Sequence, residues 1–261
     1  MKKTTWSIEI LPQNVSDVGY IPGLIKEIYI TMIPGTSFTD TISAAQKIQA
    51  LGKQAVPHLT ARSFTDVEDL RTCLAGLQTS GIERILLIGG GVPKPVGVFS
   101  SVMDMLKTEV FAEYGINSFD FAGHPEGNPD DPDSDYHLLE KLKWTEKRKI
   151  TARIVTQWSL DTEKTNNWIK NIRKNGVQNP VNLGIPGPSS LKTLMRFAKV
   201  CGVKASSEVL RKQGLNISKL MFVNKPDKIV SELRGYDQLH LYPFGGVAKS
   251  TDWLNDWQKK S

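Results

Sequence analysis

Gln54-Ala55-Val56-Pro57-His58-Leu59 is followed by a helical pattern over 65–80 and then by Arg84-Ile85-Leu86-Leu87-Ile88. An apolar run, an amphipathic stretch and a second apolar run make one β–α–β unit, since parallel strands need a covering crossover between them. The same alternation continues in both directions. Strand candidates lie at 5–11 and 27–32 upstream, and at 118–122, 152–157, 180–185 and 238–242 downstream. Helical patterns fall near 40–51, 99–113, 134–149, 162–175, 189–200 with 205–213, and 225–234, with a last helix near 250–259. Eight strands alternating with helices predict an α/β fold, a single (β/α)8 TIM barrel spanning 1–261 as one domain. The rival, an open doubly wound sheet, calls for fewer strands or a second domain, and no linker, repeat or low-complexity tract interrupts the chain.

The 261 residues match the ~250 typical of such a barrel. Hydrophobic residues at 39% and charged residues at 23% are enough for a core with a solvated surface. No run approaches the ~18 apolar residues of a membrane span. Met1-Lys2-Lys3-Thr4-Thr5-Trp6 leads straight into a strand without an apolar signal region, so a cytoplasmic location is expected. The two cysteines, Cys73 and Cys201, lie far apart and read as buried free thiols. The net charge of +6 favours small anionic partners. Its basic residues are spread along helix faces without interleaved aromatics, which argues against nucleic acid.

Barrel enzymes place their chemistry where the strands end. Ser7, Glu9 and Leu11 share one face of the first strand, putting a carboxylate inside the mouth or, alternatively, between strand and helix beside a basic partner. Burial inside would raise its pKa and suit a general acid. His58 ends the third strand, with no second histidine at metal spacing; a hydrogen-bonded structural histidine is the competing reading, and no metal site is expected. Gly89-Gly90-Gly91 ends the fourth strand and lets backbone N–H groups approach a ligand, or simply makes a tight turn. Asp130-Asp131-Pro132-Asp133-Ser134-Asp135 has Tyr136 and Leu142 where a calcium loop needs Gly and Glu, so helix capping explains it. Gln157 ends the sixth strand with an amide that can read a heterocycle edge. His240 and Tyr242 close the eighth.

Taken in order, these pieces resemble the methylenetetrahydrofolate reductase family. Ser7-Ile8-Glu9-Ile10-Leu11-Pro12 resembles its opening F-E-(F/L)-x-P strand, and Pro57-His58-Leu59-Thr60 its P-H-L-T strand. Ala122-Gly123-His124-Pro125-Glu126-Gly127-Asn128-Pro129 is similar to A-x-Y-P-E-x-H-P, and Val155-Thr156-Gln157-Trp158-Ser159-Leu160-Asp161 to I-T-Q-x-x-F-D. Leu183-Gly184-Ile185-Pro186 and His240-Leu241-Tyr242 resemble the P-G-I-x-P and H-F-Y segments. The resemblance implies interconversion of 5,10-methylenetetrahydrofolate and 5-methyltetrahydrofolate. Glu9 would be the catalytic acid at N10, and Gln157, Leu191 and Tyr242 would contact the folate. NAD(P)H would exchange hydride, in most members through FAD. Thr31, His58, Thr60, Gly89, Gly90, Ala122, His124 and Glu126 fall at or near the cofactor positions.

The family's L-R-G-D segment is here Leu87-Ile88-Gly89-Gly90, so its arginine and aspartate are missing. His124 and Asn128 replace the loop tyrosine and histidine, Trp144-Thr145 replace a basic pair, and Pro243-Phe244-Gly245-Gly246 replaces a polar ending. Folate-side residues persist while flavin-side residues change, so FAD is expected to bind weakly, differently or not at all. Expected partners are a folate and a nicotinamide nucleotide, with neither nucleic acid nor membrane; a homo-oligomer is compatible with the pattern. The alternative is a non-redox tetrahydrofolate-binding or methyl-carrier protein on the same barrel, serving a demethylation pathway.

Overall fold

Period-two sorting of side chains builds this molecule. It is a computed structural model that describes residues 4–203 and 223–259. Its strands are β1 (Trp6–Ile10), β2 (Ile25–Ile30), β3 (Gln54–Thr60), β4 (Arg84–Ile88), β5 (Ser118–Gly123), β6 (Thr151–Thr156), β7 (Val181–Pro186), β8 (Ser189–Ser190), β9 (Val223–Asn224) and β10 (Gln238–Tyr242). Eight of these close as a barrel of parallel strands in the order β1-β10-β7-β6-β5-β4-β3-β2, while β8 and β9 form a separate antiparallel pair. The helices are α1 (Phe38–Ala50), α2 (Val67–Thr79), α3 (Val102–Leu106), α4 (Ser134–Lys147), α5 (Thr162–Lys174), α6 (Leu191–Val200), α7 (Asp227–Glu232) and α8 (Val247–Gln258). The expected eight-stranded barrel is therefore present.

Alternate residues of each strand face opposite sides. Ile8, Ile10, Ile28, Ile30, Leu87 and Phe121 join the large core between barrel and helices. Their neighbours Tyr29, Val56, Leu86 and Val155 form a separate cluster on the inner side. At the seam where the barrel closes, Trp6 packs edge-on against Trp253 and Trp257 of the last helix, at 5.7 and 5.4 Å between ring centroids. Such aromatic pairs add about 0.5–1.5 kcal/mol beyond their buried area.

Ions occupy much of the inner space. Arg153 donates to Asp120 at 3.0 Å, to Glu27 at 2.8 Å and to the Tyr29 hydroxyl at 2.9 Å, and Tyr29 in turn donates to Asp120. Arg84 adds a second guanidinium to Glu27 at 2.9 Å. Asp120 is fully buried, so this pairing is what permits its charge there.

Local chemistry sets the helix starts. Ser37, Asp66, Asp161 and Ser190 each accept a first-turn backbone N–H, and Ser101 with Asp104 makes a capping box. The acidic run before α4 departs from the capping expectation: Asp133 stands at the N-cap without a side-chain bond. Asp131 instead meets His137 at 3.0 Å, and Asp135 accepts from the Trp168 indole at 2.9 Å. The helix expected near 99–113 breaks into α3 and a 3-10 turn, Val110–Tyr114, because Glu109 adopts left-handed backbone at φ 58°. Another 3-10 segment, Pro12–Tyr20, follows β1 where no helical pattern was read. The pattern at 205–213 lies outside the described residues. Among those described, no helix is long and apolar enough to cross a membrane.

Candidate functional site

Because Ile8 and Ile10 face the helices, Glu9 must face the interior, and it does. Its side chain is 16% exposed, and its Oε2 lies 3.6 Å from Nε2 of both His58 and His240. The two histidines arrive from β3 and β10, the second through direct pairing of β10 with β1. Ser7, one turn of the pleat below Glu9, is paired with His240 and meets its Nδ1 at 2.9 Å. Thr31, just past β2, is held by its backbone N–H to the Ile10 carbonyl, and its side chain helps to lower the Glu9 carboxyl.

This environment corrects the expectation of a raised pKa. Burial pushes the Glu9 carboxyl up, but the His240 and His58 rings beside it, with Thr31, together pull it below its ordinary value. Burial, opposed by Glu9, drives His58 down to about 4, so it is neutral near pH 7. The resting site thus holds a carboxylate between two imidazoles, ready to accept a proton. Sequence position alone left the carboxylate either inside the mouth or between strand and helix, and could not see its neighbours.

On the far side of the mouth, Gln157 follows β6 with its carbonyl oxygen accepting from the Trp158 N–H at 3.0 Å. Its amide nitrogen makes no hydrogen bond among the described residues. Tyr242 crosses β7 to donate to the Thr156 carbonyl at 3.0 Å. That crossing needs Gly184: a Cβ there would sit 2.4 Å from the Thr156 oxygen and 2.8 Å from the Tyr242 ring. Leu191 opens α6 and packs with Trp158 and Leu194, while Phe244 lies against Trp158, Phe197 and Tyr242. An apolar aromatic roof therefore covers the β6–β10 side. The sequence reading did not single out Trp158, Phe197 or Phe244 as members of it.

The expected cofactor residues divide. Thr31 and His58 are turned toward Glu9. Thr60 donates to Ser63 at 2.6 Å, and its side chain lies beneath Gly90, which takes φ 99°. Gly89 and Gly91 have open space where a side chain would be. Arg62 donates to the Ser100 and Val92 carbonyls, tying the loop that follows the glycines. His124 is drawn down to about 4 by burial and by Lys141, whose own amine burial lowers to about 8. Glu126 accepts from Ser159 at 2.6 Å, joining the loops after β5 and β6; Ala122 is half-buried near the end of β5. A cleft of about 460 Å³ opens elsewhere, between the 3-10 turn after β1, the loop after β2 and α1, and none of the expected site residues lines it.

A model of the family described as methylenetetrahydrofolate reductase matches residues 25–219, a span that includes His58 and Gln157 and begins after Glu9. Methylenetetrahydrofolate reductase 2 of Saccharomyces cerevisiae is 31% identical over 173 residues, 62% of this chain and 27% of that protein. Methylenetetrahydrofolate reductase (NADH) 1 of Arabidopsis thaliana is 25% identical over 236 residues, 79% of this chain and 39% of that protein. The chain spans well under half the length of these curated relatives. Among solved structures, a Yersinia pestis DHPS with a pterine-sulfa conjugate aligns at TM-score 0.50 and 8% identity, over 99% of this chain and 93% of that one, a likeness of fold.

Proposed function

We propose a function from the premise that this chain belongs to the methylenetetrahydrofolate reductase family. On this reading it is a single-barrel oxidoreductase that interconverts 5,10-methylenetetrahydrofolate and 5-methyltetrahydrofolate, with a nicotinamide nucleotide as hydride partner. The Arabidopsis and maize relatives are named as NADH enzymes, which favours that nucleotide here. The observation that carries the proposal is Glu9, an interior carboxylate facing two histidine nitrogens at 3.6 Å.

In the oxidising direction, hydride leaves the N5-methyl carbon as its electron pair passes to the acceptor, giving a 5-iminium cation. N10 attacks that carbon, and its proton moves to the Glu9 carboxylate as the five-membered ring closes. Reduction runs the same steps backward: Glu9 returns the proton to N10, the carbon–N10 bond breaks, and hydride adds to the iminium carbon. Holding Glu9 ionised supports base action in the first direction, because no proton need be removed beforehand. Gln157 would read the pterin edge with its amide, while Leu191 and Tyr242 line the ring's apolar side.

The flavin that the family implies meets a poor fit among these residues. Thr31 and His58 direct their polar atoms to Glu9, Thr60 is bonded to Ser63, and Arg62 is bonded to backbone carbonyls. Ile88, Gly89 and Gly90 bring neither charge nor side-chain donor where the family carries arginine and aspartate. No step above runs through a flavin.

The test is nicotinamide absorbance with each folate, for wild type and Glu9→Gln, together with the absorbance of the purified protein near the flavin bands. Turnover by wild type and its loss in the variant are the expected results. Stoichiometric yellow cofactor would overturn the flavin assignment, and folate binding with no turnover in either protein would favour a folate-binding or methyl-carrier role.

A further inference from the structure

We propose that His240, fixed in one tautomer by Ser7, is a positioning residue that holds Glu9 as a carboxylate and so sets the pH at which proton exchange at folate N10 begins. The statement about N10 rests on the function proposed above; the statement about Glu9 does not.

His240 is fully buried, and among the described residues two polar groups are recorded against its ring nitrogens. One is the Ser7 hydroxyl at 2.9 Å from Nδ1; the other is Glu9 Oε2 at 3.6 Å from Nε2, an atom that has no hydrogen bond of its own. A neutral imidazole carries its proton on one nitrogen only. Were it on Nδ1, the Nε2 lone pair would face a carboxylate oxygen, and the serine proton would need another acceptor. Ser7 Oγ has no other partner among the described residues. With the serine donating to Nδ1, both problems vanish, and Nε2–H points at Glu9.

Backbone pairing makes this arrangement rigid. Ser7 is opposite His240 in the β1–β10 ladder, and Glu9 lies two residues on, on the same face. The edge of the His240 ring is further held by Tyr29, at 4.6 Å between centroids. The titratable groups that face Glu9 are His58 from β3, His240 and Tyr242 from β10, and Cys201 from the end of α6. Thr31, from beyond β2, adds an uncharged group that also lowers the carboxyl. His58 has no hydrogen bond to a ring nitrogen among the described residues, so nothing fixes its tautomer as Ser7 fixes that of His240. A gap of 3.6 Å is longer than a hydrogen bond, and such contacts tighten when substrate fills the site.

The experiment follows the Glu9 carboxyl carbon by NMR of 13C-glutamate-labelled protein across pH, with Glu9→Gln assigning the signal. Ser7→Ala and His240→Leu should each move its titration upward, and His240→Gln, which keeps a donor near the Nε2 position, should restore it toward wild type. In oxidising turnover, both disruptive variants should lose kcat as pH falls, the loss approaching roughly tenfold per unit of displacement only at pH values below the Glu9 titration, while KM for folate stays within about threefold. An unchanged Glu9 titration in folded Ser7→Ala overturns the proposal, and that variant carries the test if His240→Leu does not fold. Wild-type protein without turnover would defeat the proposed function yet leave the NMR result decisive for His240.

Discussion

Ser7 and His240 meet twice, once as facing residues of adjacent parallel strands and once through a 2.9 Å contact between hydroxyl and imidazole. They are 233 positions apart in sequence. Their contact closes the barrel beside Glu9, so the seam of the fold and the centre of the site coincide. Barrel closure and the ionisation of Glu9 are therefore linked by the same two strands.

Replacing Glu9 with Gln keeps the shape of the side chain and removes its ability to exchange a proton. Turnover between the two folates is expected to fall about 10²–10⁴-fold, the usual contribution of a positioned acid or base. Folate affinity, measured by titration calorimetry, should change only a few-fold. A variant with wild-type turnover would remove Glu9 from the mechanism.

Acid should destabilise the fold earlier than an ordinary carboxylate set would. His58 and His124 are each lowered from 6.5 to about 4 in the folded protein, so the unfolded chain binds protons first as pH falls. Their stabilisation is complete above about pH 6.5 and is lost between there and pH 4, at most roughly 3 kcal/mol for each. Glu9, lowered below its ordinary 4.5, adds a loss of the same sign further down. Urea midpoints at pH 7.5, 6, 5 and 4 should decline steadily, and His124→Asn should flatten the upper part of that decline.

Arg153→Met should cost about 3–5 kcal/mol, because it leaves Asp120 and Glu27 charged inside the barrel without their shared partner. Chemical denaturation of the variant at pH 7.5 reads this directly. A loss below about 1 kcal/mol would mean that water or Arg84 replaces the pair.

Gly184→Ala tests the mouth without touching a charged group. The added methyl meets the Thr156 carbonyl and the Tyr242 ring, so Tyr242 must leave its hydrogen bond or β7 must shift. A stability loss of about 1–3 kcal/mol is expected for such overpacking. If Tyr242 lines the folate, KM should rise more than kcat falls, which steady-state kinetics on both folates will show.

Much of the architecture was legible because strand periodicity and helix periodicity differ so plainly. The strands at 84–88 and 238–242 match Arg84–Ile88 and Gln238–Tyr242, and the other six shift by a residue or two at their ends. The sequence missed the break at Glu109 and the 3-10 turn after β1, both set by local backbone geometry that composition does not reveal. Within the site, the shared face of Ser7 and Glu9 followed from strand alternation, and the structure turned that face inward. The direction of its pKa shift did not follow, since that depends on charges brought from β3 and β10.

By itself, the sequence determined the class of fold, the strands that carry the candidate residues, and the residues that share a face of β1 with Glu9. Alternation along one strand is a local property, but the side that each face turns to depends on what packs against it. Only the tertiary structure decided that Glu9 rests as a carboxylate, because the histidines beside it come from β3 and β10 and act through space over less than 4 Å. Coulomb and hydrogen-bond interactions fall off with distance in the folded molecule, and distance along the chain gives no measure of them.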